Sequence, residues 1–515
     1  MHPHNRAAAR RFREKAPFSL KRLWRYRTYR CYRTYRTYWC EHAADDTSGR
    51  MQQPALFVKI HSRISLFLAV FALTLPAGAA PGLRWISSTQ GEPWKDLPLP
   101  AVAAATGSPA LKLDPQTTYQ VIDGFGGCFN DLGWQALLAL KPPEREAALK
   151  ELFGPGGADF TLCRMPMGAN DFSLKWYSFD ETPGDYGMKD FSIERDRADL
   201  IPYIKAAMKY QPNLGVWGVP WSPPSWMKTN GHYKGGSMKD DPQTLAAYAL
   251  YFSKYVQAYR AEGIHVYAVM PQNEPIYNNG IYPQCDWSAA LLDVFLRDYL
   301  VPRLAQDHVK VQVWLGTIVS GKVGDYIDPV LGDPATNPAI TGVGCQYGGQ
   351  SAMLDTHGKY PGKKLAQTET ECYNGENSWD EALTTFQRII KDANHFAGSY
   401  FYWNMILNES GRSTWNWRQN SLLTVDRKTD TVIRNPEFYA MEHFSANVPP
   451  GAKRIAVSGG PFKDVVAFLN PTGSKVLLFL NDSAQAVSAD VETGGSTVQL
   501  NVPARSMNTI IIGAD

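Results

Sequence analysis

Between Tyr119 and about Val432, short apolar runs rich in β-branched and aromatic residues alternate with longer segments of helical period. The runs include DFTLCRMPM, NLGVWGVP, VYAVMPQNEP, VQVWLGTIV, ITGVGCQYG, KLAQTETE and AGSYFYWNMIL. Helical patterns cover Pro142–Leu152, Asp196–Tyr210, Pro242–Glu262, Ser288–Gln306 and Asp380–Asn394. Strand then helix, repeated about eight times over roughly 300 residues, predicts an α/β fold, a (β/α)8 TIM barrel over residues 119–435.

After Asn435 the period shortens. RIAVSG, DVVAFLN, KVLLFLN, AVSADVE, STVQLNV and NTIIIGA are separated by Gly, Pro, Asn, Asp and Ser, which predicts an antiparallel β-sandwich over 436–515. Residues 81–118 read as a Pro/Ala-rich linker with one or two strands that the sandwich takes in. At the other end, Met51 is followed by basic residues, the apolar run Ile64–Leu75 and small residues at Ala77, Ala79 and Ala80. These are the three parts of a signal peptide over 51–80, so an exported protein is expected. The run is shorter than the roughly 20 apolar residues that span a bilayer, and no stable membrane span is expected. Residues 1–50 contain a Tyr-Arg-Thr near-repeat with no apolar face, expected to be disordered or to lie upstream of the true start.

Charge sharpens this division. Residues 1–50 carry 13 Lys/Arg against 4 Asp/Glu, so the rest of the chain is net acidic, 39 against 45, which argues against a nucleic-acid partner. Five cysteines follow the leader, Cys128, Cys163, Cys285, Cys345 and Cys372, an odd number at wide spacings that fits neither a disulfide framework nor a metal site. No cofactor motif is present.

Barrel enzymes carry their catalytic groups at the C-terminal ends of strands. The strand His265–Met270 ends in PQNEP, offering Asn273 and Glu274, and the strand Lys364–Ala366 ends in QTETE, offering Glu369 and Glu371. Glu369 and Glu371 share a face, and the lesser depth of Glu371 in the loop favours Glu369. Glu274 and Glu369 lie 95 positions apart, roughly three βα units, which suits strands four and seven. Two carboxylates so placed can protonate a leaving oxygen and meet an oxocarbenium-like carbon, the chemistry of glycoside hydrolysis. A non-catalytic carbohydrate-binding barrel would have lost one of them.

The motifs GFGGCFND (124–131), RMPMGANDFSLKWYSFDETPGDY (164–186), PWSPPSWMKTNGHYKGGSMK (220–239), QNEP (272–275) and LAQTETECYNGENSW (365–379) occur in order. They resemble glycoside hydrolase family 30, in particular its glucosylceramidase-like branch. The resemblance implies Glu274 as acid/base and Glu369 as nucleophile of a retaining β-glycosidase. It further implies a glycone pocket formed by Arg164, Asp171, Trp221, Asn273, Trp403 and Asn420, where Arg164 has the alternative role of orienting Glu369. Trp217 and Trp226 read equally well as core. Glucosylceramidases carry a His at the end of the sixth strand where this chain has Gln346, followed by Tyr347, so these two are expected on the leaving-group side. The implied substrate is a β-linked glycoside, an oligo- or polysaccharide or a glycolipid; glucosylceramidase, β-1,6-glucanase, β-xylosidase and xylanase all remain open.

Overall fold

The computed structural model describes residues 82–99, 110–276, 279–370, 372–493 and 496–514. The leader segments 1–50 and 51–80, and Glu371, lie outside the described residues. Eight parallel strands form a closed barrel: β1 (Gly124–Cys128), β2 (Leu162–Pro166), β3 (Gly215–Val219), β4 (Val266–Val269), β5 (Gln312–Ile318), β6 (Ile340–Cys345), β7 (Lys364–Gln367) and β8 (Ala397–Asn404). The ring closes where β8 pairs with β1, Tyr400 opposite Phe125.

The strands are almost wholly buried, because helices cover the outside and side chains fill the inside. Trp217 on β3, Trp314 on β5 and Phe401 on β8 meet in the interior, with Trp217 4.4 Å from Trp314 and 5.1 Å from Phe401 between ring centroids. This aromatic layer makes the barrel a packed core and puts Trp217 in it. Two predicted helices are interrupted. The 196–210 pattern is two helices, Glu194–Ala198 and Leu200–Met208, broken at Asp199, whose carboxylate accepts from Gln135 and Arg195. The 288–306 pattern carries a π turn over Phe295–Leu300.

The second layered unit is built from both ends of the described chain. A seven-stranded antiparallel sheet runs in the order 95–97, 83–88, 506–512, 475–481, 465–469, 453–458 and 112–121. A hairpin, Val487–Thr493 with Ser496–Val502, covers one face, and Trp85, Ile455, Leu477 and Phe479 pack against Val491, Val498 and Leu500. The strand Lys112–Val121 pairs with Lys453–Ser458 and then leads into β1, so the sandwich is tied to the barrel by the chain itself.

Two helices complete that joint. Helix Trp379–Asn394 begins with a capping box, Ser378 and Glu381 each bonding the other's backbone, and it hands hydrogen bonds to the sandwich through Gln387 to Asp464 (2.7 Å) and Asn394 to the Val465 carbonyl (3.0 Å). Helix Pro436–Ser445 packs Phe444 against Phe125 of β1 and buries His443 between Thr509 (2.7 Å) and Ser88 (2.9 Å) of the sheet. Among the described residues no helix is long and apolar enough to cross a membrane, and the five cysteines are buried free thiols.

Burial pushes the His443 imidazole down from 6.5 to about 3. The unfolded chain therefore takes up a proton that the folded joint refuses, and stability falls as pH drops from 6.5 towards 3. This single group should contribute a slope of about 1.4 kcal/mol per pH unit. Urea unfolding of wild type and His443→Gln across that range should show the wild-type advantage shrinking with acidity; a pH-independent difference would contradict a buried neutral imidazole.

Candidate active site

A cavity of about 640 Å3 opens at the C-terminal ends of the strands, lined by Asp171, Trp221, Asn273, Glu274, Tyr282, Tyr347 and Glu369, with Trp415, Trp417 and Gln419 from the segment after β8. Its size is that of a small-ligand site. Glu274 follows β4 and Glu369 follows β7, each only 7% exposed.

Glu369 is held from several sides. The side-chain amide of Gln367 accepts from its N–H (2.5 Å) and donates to its carbonyl (2.8 Å), so the residue two positions earlier fixes the backbone as the strand ends. One carboxylate oxygen accepts from the guanidinium of Arg164 (2.6 Å) and the other from the hydroxyl of Tyr347 (2.5 Å). Arg164 is completely buried on β2, and its other amino group donates to the side-chain oxygen of Asn273. Its guanidinium lies 4.5 Å from the Trp221 ring and 5.8 Å from that of Trp403, faces that favour a cation.

The backbone of Glu274 adopts φ 46°, a left-handed conformation that costs a non-glycine residue energy and is held by its surroundings. Its N–H donates to the Thr317 hydroxyl (3.2 Å), which donates in turn to Asn273 Oδ1 (3.0 Å). Because that oxygen also accepts from Arg164, the NH2 group of Asn273 is left to face the cavity. Gln346 donates to one carboxyl oxygen of Glu274 (2.9 Å), and the Tyr282 hydroxyl lies 3.4 Å from the other.

The loop after β6 reaches the site through close backbone contact. Tyr347 sits at φ 48°, and a side chain on Gly349 would lie 2.0 Å from the Ile318 carbonyl, so only glycine lets this turn rest on β5. The Gln346 N–H bonds that same carbonyl (2.9 Å).

The two carboxylates differ in environment. Burial, then the charge of Glu369, pushes Glu274 above the usual carboxylate range, outweighing the opposing hydrogen bond from Gln346 and charge of Arg164. Burial first and Glu369 second also hold Asp171 well up, and one of its oxygens is buried with no hydrogen-bond partner among the described residues. Among the described residues no group of His, Cys, Asp and Glu is arranged to hold a metal ion.

The expected residues thus divide. Glu274, Glu369, Asp171, Trp221, Asn273 and Tyr347 line the cavity. Four do not. Arg164 lies behind Glu369 as its ion-pair partner, and Trp403, 1% exposed, backs Trp221 at 5.3 Å. Gln346 is buried beneath Glu274 and does not reach the cavity surface. Asn420 has its amide consumed by Glu381, Glu437 and the Gly375 N–H, tying the segment after β8 to that after β7, while its neighbour Gln419 reaches the cavity. Gln419, Tyr282, Trp415 and Trp417 were missed, since their loops have no period to read; Thr317, a polar residue inside an apolar strand, was a visible signal.

A closed barrel presenting an ion-paired carboxylate and a raised one across a cavity at the ends of its fourth and seventh strands defines a glycoside hydrolase. The chain belongs to glycosyl hydrolase family 30: residues 122–448 match that family's TIM-barrel domain and 451–510 its β-sandwich domain. It is 30% identical to the lysosomal acid glucosylceramidase of Mus musculus over 404 residues, 73% of this chain and 78% of that protein. It is 28% identical to an endo-1,6-β-D-glucanase of Aspergillus fumigatus over 431 residues, 76% of this chain and 85% of that protein. Among solved structures, SrfJ from Salmonella typhimurium superposes with a TM-score of 0.78 at 26% identity, covering 84% of this chain and all of SrfJ.

Arg164→Leu should cost about 3–5 kcal/mol of stability at neutral pH, because it leaves the Glu369 charge buried and unpaired. Chemical denaturation of the variant beside wild type checks this, and a loss below about 1 kcal/mol would show that the buried pair does not hold the site together.

Proposed function

We propose that this glycosidase is a retaining β-glucosidase of the glucosylceramidase type, with Glu369 as nucleophile and Glu274 as acid/base. The observation that carries the reading is the contrast between the two carboxyls: Glu369 is paired with a buried guanidinium, whereas Glu274 is desolvated beside that negative charge. In the first step Glu369 attacks the anomeric carbon while Glu274 donates its proton to the departing oxygen. Forming the glycosyl ester removes the charge of Glu369, so the influence that kept Glu274 protonated fades and it becomes a better base for the incoming water. The NH2 group of Asn273 would donate to the sugar 2-hydroxyl, Asp171 would bond ring hydroxyls through its unpartnered oxygen, and Trp221 would form the floor.

The choice of β-glucosidase rests on the likeness to the mouse glucosylceramidase. A second reading, β-1,6-glucanase, is favoured by the fungal relative and by the aromatic ledge at the cavity mouth, where Tyr282 stacks on Trp415 (5.7 Å) and Trp415 meets Trp417 (5.0 Å). Such a ledge suits flat sugar rings as well as an apolar aglycone. We also propose export, on the leader-like composition of 51–80; N-terminal sequencing of protein secreted by an expressing cell tests it.

Glucosylceramide, a β-1,6-glucan and aryl β-glucosides and β-xylosides, with product anomers followed by NMR, separate these readings; an inverted first product would refute the double displacement. A 2-deoxy-2-fluoro glucoside should label Glu369, and label on Glu371 would overturn the assignment. Glu274→Ala should lower kcat/KM by about 10²–10⁴-fold on poor leaving groups and far less on activated ones. In wild type, kcat/KM should fall as pH rises through the titration of Glu274, well above the ordinary carboxylate range of about 4–5. Carboxyl NMR of Glu369→Gln should show that titration moved down, towards the ordinary range.

A further inference from the structure

We infer that Gln346 is a positioning residue that fixes the catalytic proton on one oxygen of Glu274 and supports that carboxylate when it acts as base. This rests on the acid/base role proposed for Glu274. Gln346 is fully buried and does not line the cavity, so its contacts are with the protein alone. Its amide nitrogen lies 2.9 Å from Glu274 Oε1 and 3.4 Å from Asn273 Oδ1, and its oxygen accepts from the Thr368 hydroxyl at 3.0 Å. The flipped amide would set its oxygen against that of Asn273, which already accepts from Arg164 and Thr317. The orientation is therefore determined.

An amide N–H only donates, so Oε1 is an acceptor in both protonation states of Glu274. The proton of the acid form then belongs on Oε2, the oxygen nearest the Tyr282 hydroxyl on the cavity wall. The same N–H bonds a carboxylate more strongly than a carboxylic acid, and so favours the form required in the second half of the reaction. An imidazole here would change charge near neutrality, whereas the amide donates at every pH. The other charged and titratable groups around Glu274 are Glu369 and Arg164, which oppose one another, Asp171 on the segment after β2, and the hydroxyls of Tyr282 and Tyr347.

The test compares Gln346→Met, of similar shape without a donor, with wild type. The substrates are 4-nitrophenyl β-glucoside across pH and 2,4-dinitrophenyl β-glucoside with and without azide. The alkaline limb of kcat/KM should move up by about one pH unit, the change expected from a lost hydrogen bond to a charged group. With the dinitrophenyl substrate, departure needs no acid, so the slowed base step should show as a burst followed by turnover reduced about tenfold or more. Azide, a nucleophile that needs no base, should restore it and yield β-glucosyl azide. Thr368→Val, which loosens the amide without removing it, should shift the limb the same way by less, and serves if the Met variant fails to fold. An unmoved limb, with equal losses on both substrates and no rescue by azide, would reduce Gln346 to a structural role. Glu274→Ala is measured alongside: if azide fails to rescue it, the acid/base assignment itself falls, whereas rescue there with none in Gln346→Met rejects only the role of Gln346.

Discussion

A fully buried guanidinium organises the mouth of this barrel. Arg164 arises from the middle of β2, and taking its charge out of water is costly unless it meets an opposite charge and hydrogen-bond acceptors. Glu369 supplies the opposite charge, Asn273 and the Thr368 carbonyl accept further N–H groups, and two indole faces close over the plane. Lysine could not replace it, because a point charge has no planar fork with which to reach β7 and the segment after β4 at once. The cation thus sets the positions of both ends of the site, binding Glu369 directly and turning Asn273 so that its NH2 group faces the cavity.

The differing surroundings of the two glutamates follow from that placement. Both are nearly inaccessible, so burial opposes charge on each, but the ion pair goes to one of them. Glu274 is left with amide and hydroxyl partners, and with a negative neighbour. Position alone thus gives two carboxyls of identical chemistry different partners.

How much of this could be read from sequence depended on whether a periodic element carried the residue. Glu274 and Glu369 were legible because each stands a few residues past a short apolar strand, and the barrel rule assigns chemistry to such places. The sandwich strands were legible from alternation. Asn420 and Gln419 were not told apart, since in a segment without period a one-residue difference decides which side chain turns inward. That Gln346 lies buried under Glu274 and off the cavity surface was not legible, because its position depends on Gly349 resting against β5 and on the positive φ of Tyr347, contacts between strands that no local pattern encodes. Trp403 illustrates a further limit: the strand is evident, but whether its indole faces the cavity or backs Trp221 depends on how both rings pack beside Arg164.

The sandwich belongs to the same argument, although it contributes no residue to the cavity. Arg164, Glu369 and Asn273 meet only if β2, β7 and the segment after β4 keep their registers, and a barrel is open to distortion where its first and last strands close. Here β8 pairs with β1, and outside that closure lie helices Trp379–Asn394 and Pro436–Ser445, both fastened to the sandwich. The segment after β8 is held by Asn420 to Glu381 on the first of these helices and to Glu437 on the second. Gln419, Trp415 and Trp417 are therefore carried on a segment braced, through two helices, by the sandwich. Rigidity at the aromatic mouth of the cavity is thus supplied from the far side of the barrel wall.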